Sequence, residues 1–288
     1  MSYVVISDVT TDLPVDVIDK HNLIIMPMKY SVDNVEYTNY SDFREQSLTD
    51  FYNEMRLGKN THTMQLNSEV YKETYRKYLE NGEDILGIIF SSGLSGSFNS
   101  ARIAVDELKE EYPDRKILII DSLAASTGEG IVALEAAINK EKGMSIEDNF
   151  KNIEEFKFNV AHWFTVENLE YLRRGGRVSN TAAFAAKMLN IKPVLHVDNE
   201  GHLIPVSKKI GRKNSIKEIV EQFKNTYDSS YDTVVITHAD CFDDAMYLKK
   251  LLLEVCSPKN LIISNIGTVI GSHSGPGTLA LFFKASKR

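Results

Sequence analysis

The sequence predicts a two-domain α/β protein, with a mostly parallel sheet covered by helices in the first domain and an α+β second domain. Apolar, β-branched segments alternate with segments of helical periodicity between residues 3 and 140, which is typical of a parallel sheet with crossover helices. The polar helix predicted at 145–156 is a natural connector, and the 288 residues suit two medium domains. We therefore expect domains at residues 1–158 and 159–288.

Composition excludes several functional classes. A net charge of −7 and a pI near 5.6 argue against a nucleic-acid partner, because such proteins carry a basic surface. The two cysteines, Cys241 and Cys256, lack metal-type spacing and suit a reducing compartment. No apolar window approaches the ~18 residues of a membrane span, and the first residues resemble no leader. We expect a soluble cytoplasmic protein with at most transient membrane contact.

In the first half, five apolar or extended segments predict strands, at 3–6, 23–28, 32–37, 84–90 and 116–120. Helices are predicted at 48–57 ending at Gly58, from Ser68 as N-cap to Gly82, from about Ala101, at 127–140 and at 145–156. Residues 59–67 are predicted to be a loop.

In the second half, strands are predicted at 160–166, 191–197, 202–206, 233–237, 261–266 and 268–270, and the last of these leads into a loop at 271–278 and an apolar tail. Segments 191–197 and 202–206 form a hairpin in this prediction. Helices are predicted from Ser179 to Asn190, from a capping box of Ser215 and Glu218 to Tyr227, and at 243–255.

The segment 91–101, SSGLSGSFNSA, joins a buried strand to a helix. Backbone N–H groups at the start of a helix lack intrahelical partners and lie at the positive end of its dipole, so they attract phosphate or carboxylate. Gly93 and Gly96 allow a ligand to approach the backbone, and Ser95 offers a hydroxyl group. The segment therefore predicts an anion site, although an ordinary capped turn has the same composition.

Two catalytic motifs have features in common with this turn. Ser95, Asp240 and His273 follow the chain order of α/β-hydrolase triads, but Ser97 stands where G-x-S-x-G needs its second glycine. A phosphate-binding loop needs a lysine after the glycine, and none follows Gly96. A serine hydrolase using Ser95 and His273 remains the alternative function.

Other polar residues have two interpretations each. The glycines around His273 leave its imidazole open to a ligand, but a buried, hydrogen-bonded histidine fits as well. The basic runs 173–177 and 208–213 suit phosphate or a protein partner, although charge runs are usually solvated faces. We take Arg173, Arg174, Arg177 and Arg212 as candidates for that contact. The acidic segment 238–244 is predicted to be a helix-capping turn and not a metal site.

Three separated motifs, SSGLSGSFNSA, YLRRGGRVS at 171–179 and GSHSGPGT at 271–278, resemble those of the DegV family, the fatty-acid-binding subunits of the bacterial fatty acid kinase system. The resemblance covers essentially the whole chain and implies a fatty acid held between two domains. It implies that the carboxylate binds to Ser95 and Gly96, which belong to one turn, and to Thr63. His273 is implied to lie near the carboxylate. The family's T-S-Q-P-S loop corresponds here to TMQLN at 63–67, which keeps Thr63 and Gln65 and departs elsewhere.

The resemblance also implies that two proteins share the reaction. A separate ATP-dependent kinase subunit phosphorylates the carboxylate of a long-chain fatty acid, and this chain carries the acyl phosphate onward. The chain itself then has no complete active site, no metal and no cofactor other than its fatty acid ligand. The basic residues named above would suit docking of the kinase.

Overall fold

The computed structural model describes residues 2–179, 190–286 and 288. Its strands form three sheets of four, three and six strands, which we call the parallel sheet, the small sheet and the mixed sheet. This is the mixed α/β architecture that the alternating pattern predicts. The helix predicted from Ser179 to Asn190 falls largely outside the described residues.

The parallel sheet carries the first half of the chain, in the order β2-β1-β6-β7 with every pair parallel. Its strands are β1 (Tyr3–Asp8), β2 (Ile24–Met26), β6 (Asp84–Ile89) and β7 (Ile117–Asp121). All residues of β1 and β6 are buried, because helices cover both faces, and this explains their continuous apolar sequences.

The small sheet is antiparallel, in the order β4-β3-β5, with strands β3 (Met28–Val32), β4 (Val35–Asn39) and β5 (Thr61–Met64). The sequence predicted one strand at 23–28, but the ladder is interrupted at Pro27, which has no N–H to donate. Residues 59–67 were predicted to be a loop, and this was wrong for β5. Its four residues pair with β3, and Thr63 lies opposite Tyr30.

The mixed sheet carries the second half, in the order β10-β9-β8-β13-β11-β12. Only β11 and β12 pair in parallel, and the other neighbours are antiparallel. The strands are β8 (Val160–Thr165), β9 (Ile191–Val197), β10 (Leu203–Ile210), β11 (Thr233–His238), β12 (Asn260–Asn265) and β13 (Leu279–Lys284). The predicted hairpin is confirmed as β9 and β10.

The described residues contain ten α-helices. They are α1 (Val15–Lys20), α2 (Leu48–Arg56), α3 (Ser68–Leu79), α4 (Ser97–Glu111), α5 (Thr127–Glu141), α6 (Ile146–Phe156), α7 (Glu170–Arg174), α8 (Arg212–Thr226), α9 (Phe242–Leu253) and α10 (Thr268–Ser274). Helix α5 packs against β1 and β6 on one side and β8 and β13 on the other. Its Ala- and Gly-rich sequence follows from this position between two sheets.

Three local predictions were wrong. Asn67, not Ser68, caps α3, since its side chain accepts from Val70 N–H at 3.1 Å. Helix α8 begins at Arg212, and Ser215 Oγ donates to the Arg212 carbonyl at 2.8 Å from inside the helix, so no capping box forms there. The predicted strand at 268–270 is the first turn of α10.

The predicted boundary after residue 158 remains a prediction. Strands up to β7 lie in the parallel and small sheets, and strands from β8 onward form the mixed sheet. One apolar core nevertheless runs across both halves and includes Leu86, Ala133 and Phe282. None of the helices in the described part of the chain is long and apolar enough to cross a membrane.

Candidate functional site

A cavity of about 200 Å³ lies between the first and second halves of the chain. Most of its wall is apolar. The wall residues come from the small sheet, the ends of the parallel sheet, the mixed sheet and α10, and the apolar ones include Met28, Phe90, Leu94, Phe164, Leu172, Val197, Leu203, Ile266, Val269, Ala280 and Phe282. Such a lining suits a ligand with a long hydrocarbon part.

Polar groups gather at one end of the cavity. Thr63 from β5 and His273 from α10 both line it, and Thr63 Oγ1 lies 2.8 Å from His273 Nε2. They are joined because α10 packs directly on β5. Two residues that are 210 positions apart in the sequence therefore form one polar pair.

The imidazole of His273 is uncharged at neutral pH. Burial lowers its pKa to about 4, and the nearby charge of Arg177 acts in the same direction. Gly175 lies against the ring, and a Cβ at that position would come within 2.4 Å of His273 Nδ1. Gly175 of the RRGGR segment thus leaves room for the histidine ring.

Ser95 lines the same cavity from the turn before α4. Its Oγ lies 3.0 Å from Ser97 Oγ and accepts from Ser97 N–H at 3.2 Å. The Gly96 N–H donates to Gln65 Oε1 at 3.1 Å, and a Cβ on Gly96 would come within 2.5 Å of that oxygen. Gly96 thus ties the turn to the segment after Thr63, and its direct contact with a carboxylate stays a prediction.

Arg177 also lines the cavity and is half-buried. Its Nε and Nη2 donate to the Leu94 carbonyl at 3.0 and 2.9 Å, and its Nη1 donates to the Gly175 carbonyl. These bonds fix the turn that carries Ser95 and place a positive charge at the polar end. Burial lowers the pKa of Arg177, but an arginine remains charged.

The structure does not bring the other three arginines into the cavity wall. Arg173 forms an ion pair with Glu170 on α7, and the exposed Arg174 lies 5.0 Å from the centroid of the Tyr171 ring. The guanidinium of Arg212 bonds Asp244 at 2.8 Å and the Gly277 carbonyl at 2.6 Å. Arg212 therefore fastens α8 to α9 and to the loop after α10.

Asp240 and His273, which the serine hydrolase alternative needs to contact each other, bond to other residues. Arg56 Nη1 lies 2.5 Å from Asp240 Oδ2, and Nη2 of the same arginine donates to the Asp240 carbonyl at 3.2 Å. His273 Nε2 faces Thr63 rather than Asp240. No cluster of three metal-ligating side chains occurs in the described ranges, segment 238–244 included.

Sequence reasoning missed two features of this site. Arg177 was assigned to a partner contact, whereas the structure also places it in the cavity wall. His162 was not singled out, although it lines the cavity beside Phe164 on β8. A period of two along β8 puts these two side chains on the same face, and this pattern was available in the sequence.

Comparison with known proteins gives a consistent result. The model of the DegV family, described as an uncharacterised protein family, matches residues 2–286. A DegV domain-containing protein of Clostridium perfringens is 39% identical over 282 residues, covering 98% of this chain and 97% of the relative. A DegV domain-containing protein of Lactococcus lactis is 32% identical with the same coverage.

Solved structures agree with this match. A Thermus thermophilus DegV family protein described as binding fatty acid superposes with a TM-score of 0.88 at 28% identity, covering 99% of this chain and 100% of the other. A Thermotoga maritima protein described as having a fatty acid binding function gives a TM-score of 0.85 at 29% identity, covering 99% of both chains. Bacillus subtilis DegV, described as a fatty acid binding protein, gives 0.83 at 29% identity, covering 98% of both. This chain belongs to the DegV family.

Proposed function

We propose that this chain binds a long-chain fatty acid in the cavity and presents its carboxylate to a separate ATP-dependent kinase. One observation carries the binding step: Thr63, Ser95, Arg177 and His273, from four separate segments, line one end of an otherwise mostly apolar cavity. The fatty acid binding described for the solved relatives supports the same ligand class.

The polar end suits a carboxylate. If His273 Nε2–H donates to Thr63 Oγ1, the Thr63 hydroxyl is free to donate to the ligand. The Ser95 hydroxyl supplies a second donor, and the Arg177 charge stabilises the anion. Hydrogen bonds of this kind contribute roughly 1.5–3 kcal/mol each.

The apolar wall supplies most of the affinity. Burying an acyl chain gains about 0.8 kcal/mol per methylene, so ~14 methylenes offer about 11 kcal/mol before ordering costs. The hydrocarbon chain therefore holds the ligand, and the polar end fixes its direction.

The carboxylate end lies near the protein surface. Gln65 and Gly96, which flank this end, are exposed, while Phe164 and Phe282 further along the wall are buried. A partner enzyme can reach a carboxylate in that position. In this proposal a carboxylate oxygen attacks the γ-phosphorus of ATP on the kinase, ADP leaves, and the chain keeps the acyl phosphate.

Native mass spectrometry of the purified protein tests the ligand. We expect a co-purified long-chain fatty acid, and after delipidation we expect added stearic acid to rebind with a stoichiometry of one. Protein that carries no fatty acid and does not rebind stearic acid after delipidation would contradict the binding step.

Affinity for the kinase tests the docking surface. Arg174 is exposed on α7, which packs on α10 beside the polar end. We expect Arg174→Ala to weaken binding of the kinase and to leave fatty acid binding unchanged. Lys259→Ala is the matched control, because Lys259 is an exposed cation that precedes β12, at the strand end opposite α10. Equal kinase affinity of the two variants would rule out docking through Arg174.

A further inference from the structure

The backbone N–H groups of the turn before α4 are occupied by acceptors of the protein itself. Every N–H group from Ser92 to Ser97 donates within the chain, and the acceptors are Asp121 Oδ1, Ser91 Oγ, the Ser91 carbonyl, Gln65 Oε1 and Ser95 Oγ. The turn therefore meets a ligand through a side chain, and Ser95 is its hydroxyl residue in the cavity wall. The direction of the Ser95 proton decides whether the turn can donate to a carboxylate.

Ser97 controls that direction through two contacts with one oxygen. Its N–H donates to Ser95 Oγ at 3.2 Å, and its Oγ lies 3.0 Å from the same atom. A hydroxyl oxygen accepts two hydrogen bonds and carries one proton. When Ser97 Oγ donates, both acceptor positions of Ser95 Oγ are filled by Ser97, so the Ser95 proton points away from it. In the opposite arrangement Ser95 donates to Ser97 and has no proton left for a ligand.

The surroundings of Ser97 favour the first arrangement. Its side chain is fully buried at the first residue of α4, so its hydroxyl needs an acceptor inside the protein, and Ser95 Oγ lies at hydrogen-bond distance. The Tyr71 hydroxyl also lies near Ser97, although without hydrogen-bond geometry. Burial raises the pKa of Tyr71 well above its usual value, so the phenol keeps its own proton at neutral pH and leaves the Ser97 proton to Ser95.

A bound carboxylate adds to this preference. Its oxygens only accept, and a hydrogen bond to a charged acceptor is stronger than one between two neutral hydroxyls. The ligand therefore takes the Ser95 proton, which leaves Ser97 as the donor to Ser95. Hydrogen bonds in such a series also polarise one another.

We propose that Ser97 is a positioning residue for the ligand carboxylate, and that its hydroxyl donates to Ser95 Oγ and so directs the Ser95 proton into the cavity. This inference rests on the fatty acid binding proposed above. Ser97 lies behind the cavity wall and does not line it, so it acts on the ligand through Ser95.

Titration of delipidated protein with stearic acid tests this role. We expect Ser97→Ala to weaken binding about three- to tenfold, which is the effect of one net hydrogen bond. Ser97→Thr keeps the hydroxyl and is expected to restore most of the affinity. In Ser95→Ala protein, adding Ser97→Ala is expected to cost less than about twofold more, because the residue through which Ser97 acts is then absent.

Ser215→Ala is the matched control. Ser215 is also fully buried in the first turn of a helix, α8, and its Oγ donates to the Arg212 carbonyl at 2.8 Å. It does not line the cavity. We expect this variant to bind stearic acid as the wild type does, whatever stability it loses.

The outcomes separate the two proposals. Wild-type affinity in Ser97→Ala overturns the role of Ser97 and leaves fatty acid binding intact. A loss of undiminished size in the Ser95→Ala background, or an equal loss in Ser215→Ala, shows a structural effect and overturns that role as well. Failure of the wild type to bind stearic acid overturns both proposals. Should Ser97→Ala fail to fold, Ser97→Cys, which keeps the shape with only a weak S–H donor, is expected to show the same loss, and wild-type affinity in it overturns the role.

Discussion

Thr63 Oγ1 and His273 Nε2 lie 2.8 Å apart and join the small sheet to the last helix of the chain. Thr63 belongs to a four-residue edge strand, and His273 belongs to the seven-residue helix α10. The pair lies at the polar end of the cavity and joins two separate elements there.

Removing the Thr63 hydroxyl is expected to weaken fatty acid binding. Thr63→Val keeps the side-chain shape but removes the donor that faces the carboxylate in our proposal, so we expect about a tenfold loss of affinity in a titration with stearic acid. Thr61→Val is the control, because the Thr61 hydroxyl donates to the Ser272 carbonyl at 3.2 Å and does not line the cavity. If both variants lost the same amount of stearic acid affinity, the Thr63 hydroxyl would matter only for the fold and not for contact with the carboxylate.

Filling the space beside His273 is expected to disturb the polar end. Gly175 has φ −71, so alanine fits its backbone, but the new Cβ would come within 2.4 Å of His273 Nδ1. We expect Gly175→Ala to displace the ring, break its contact with Thr63 and lower fatty acid affinity. Gly143→Ala is the contrasting control, since Gly143 has φ +83 and open space, so its substitution strains the backbone alone. We expect that control to lose thermal stability and keep its affinity.

Arg177 is expected to need its guanidinium and not only its charge. Nε and Nη2 bond the Leu94 carbonyl together, and the ammonium group of a lysine cannot reproduce this planar pair. We expect Arg177→Lys to lower stearic acid affinity severalfold, because the turn with Ser95 loses its support. Arg174→Lys, on the exposed side of the same segment, is expected to bind as the wild type does. Unchanged affinity in Arg177→Lys would show that its charge alone suffices.

Asp12 is expected to make stability depend on pH. Its carboxylate accepts from Gly267 N–H at 2.9 Å and from Ser126 Oγ at 2.6 Å, and so it connects the first half of the chain to the start of α10. Burial raises its pKa from 3.8 to about 7. A raised carboxyl pKa means that the folded state binds the proton more tightly than the unfolded state. Its stabilising contribution is therefore present below pH 3.8 and is lost as the pH rises to about 7.

Asp12→Asn tests that pH dependence in urea unfolding experiments. We expect the variant to gain stability relative to the wild type as pH rises between 3.8 and about 7, by roughly 4 kcal/mol at the upper end. Asp16→Asn, which removes an exposed carboxylate on α1, is the control for the loss of a surface charge. A stability difference between Asp12→Asn and wild type that stays constant with pH would contradict the assignment.

Local sequence determined much of the fold. Continuous apolar runs predicted β1, β6 and β7 because both faces of a parallel sheet are buried, and helical periodicity predicted α2, α3, α5 and α6. It failed at α10, where the apolar and β-branched residues 268–270 predicted a strand. There the packing of the segment against β3 and β5 decided its conformation, and a local pattern carries no information about such contacts.

Some features of the site were likewise visible in the sequence, and others appear only in the structure. The Gly/Ser turn before α4, the glycines beside Arg177 and the glycine-rich segment around His273 were visible in the sequence, because glycines mark places where another group approaches the backbone closely. Three relationships depend on strand order and register across three sheets. Thr63 contacts His273, Arg177 bonds the Leu94 carbonyl, and His162 lies in the same cavity wall. Sequence determined which residues are available to bind a carboxylate, and tertiary structure decided which of them share a cavity, because only folding brings distant segments within hydrogen-bond distance.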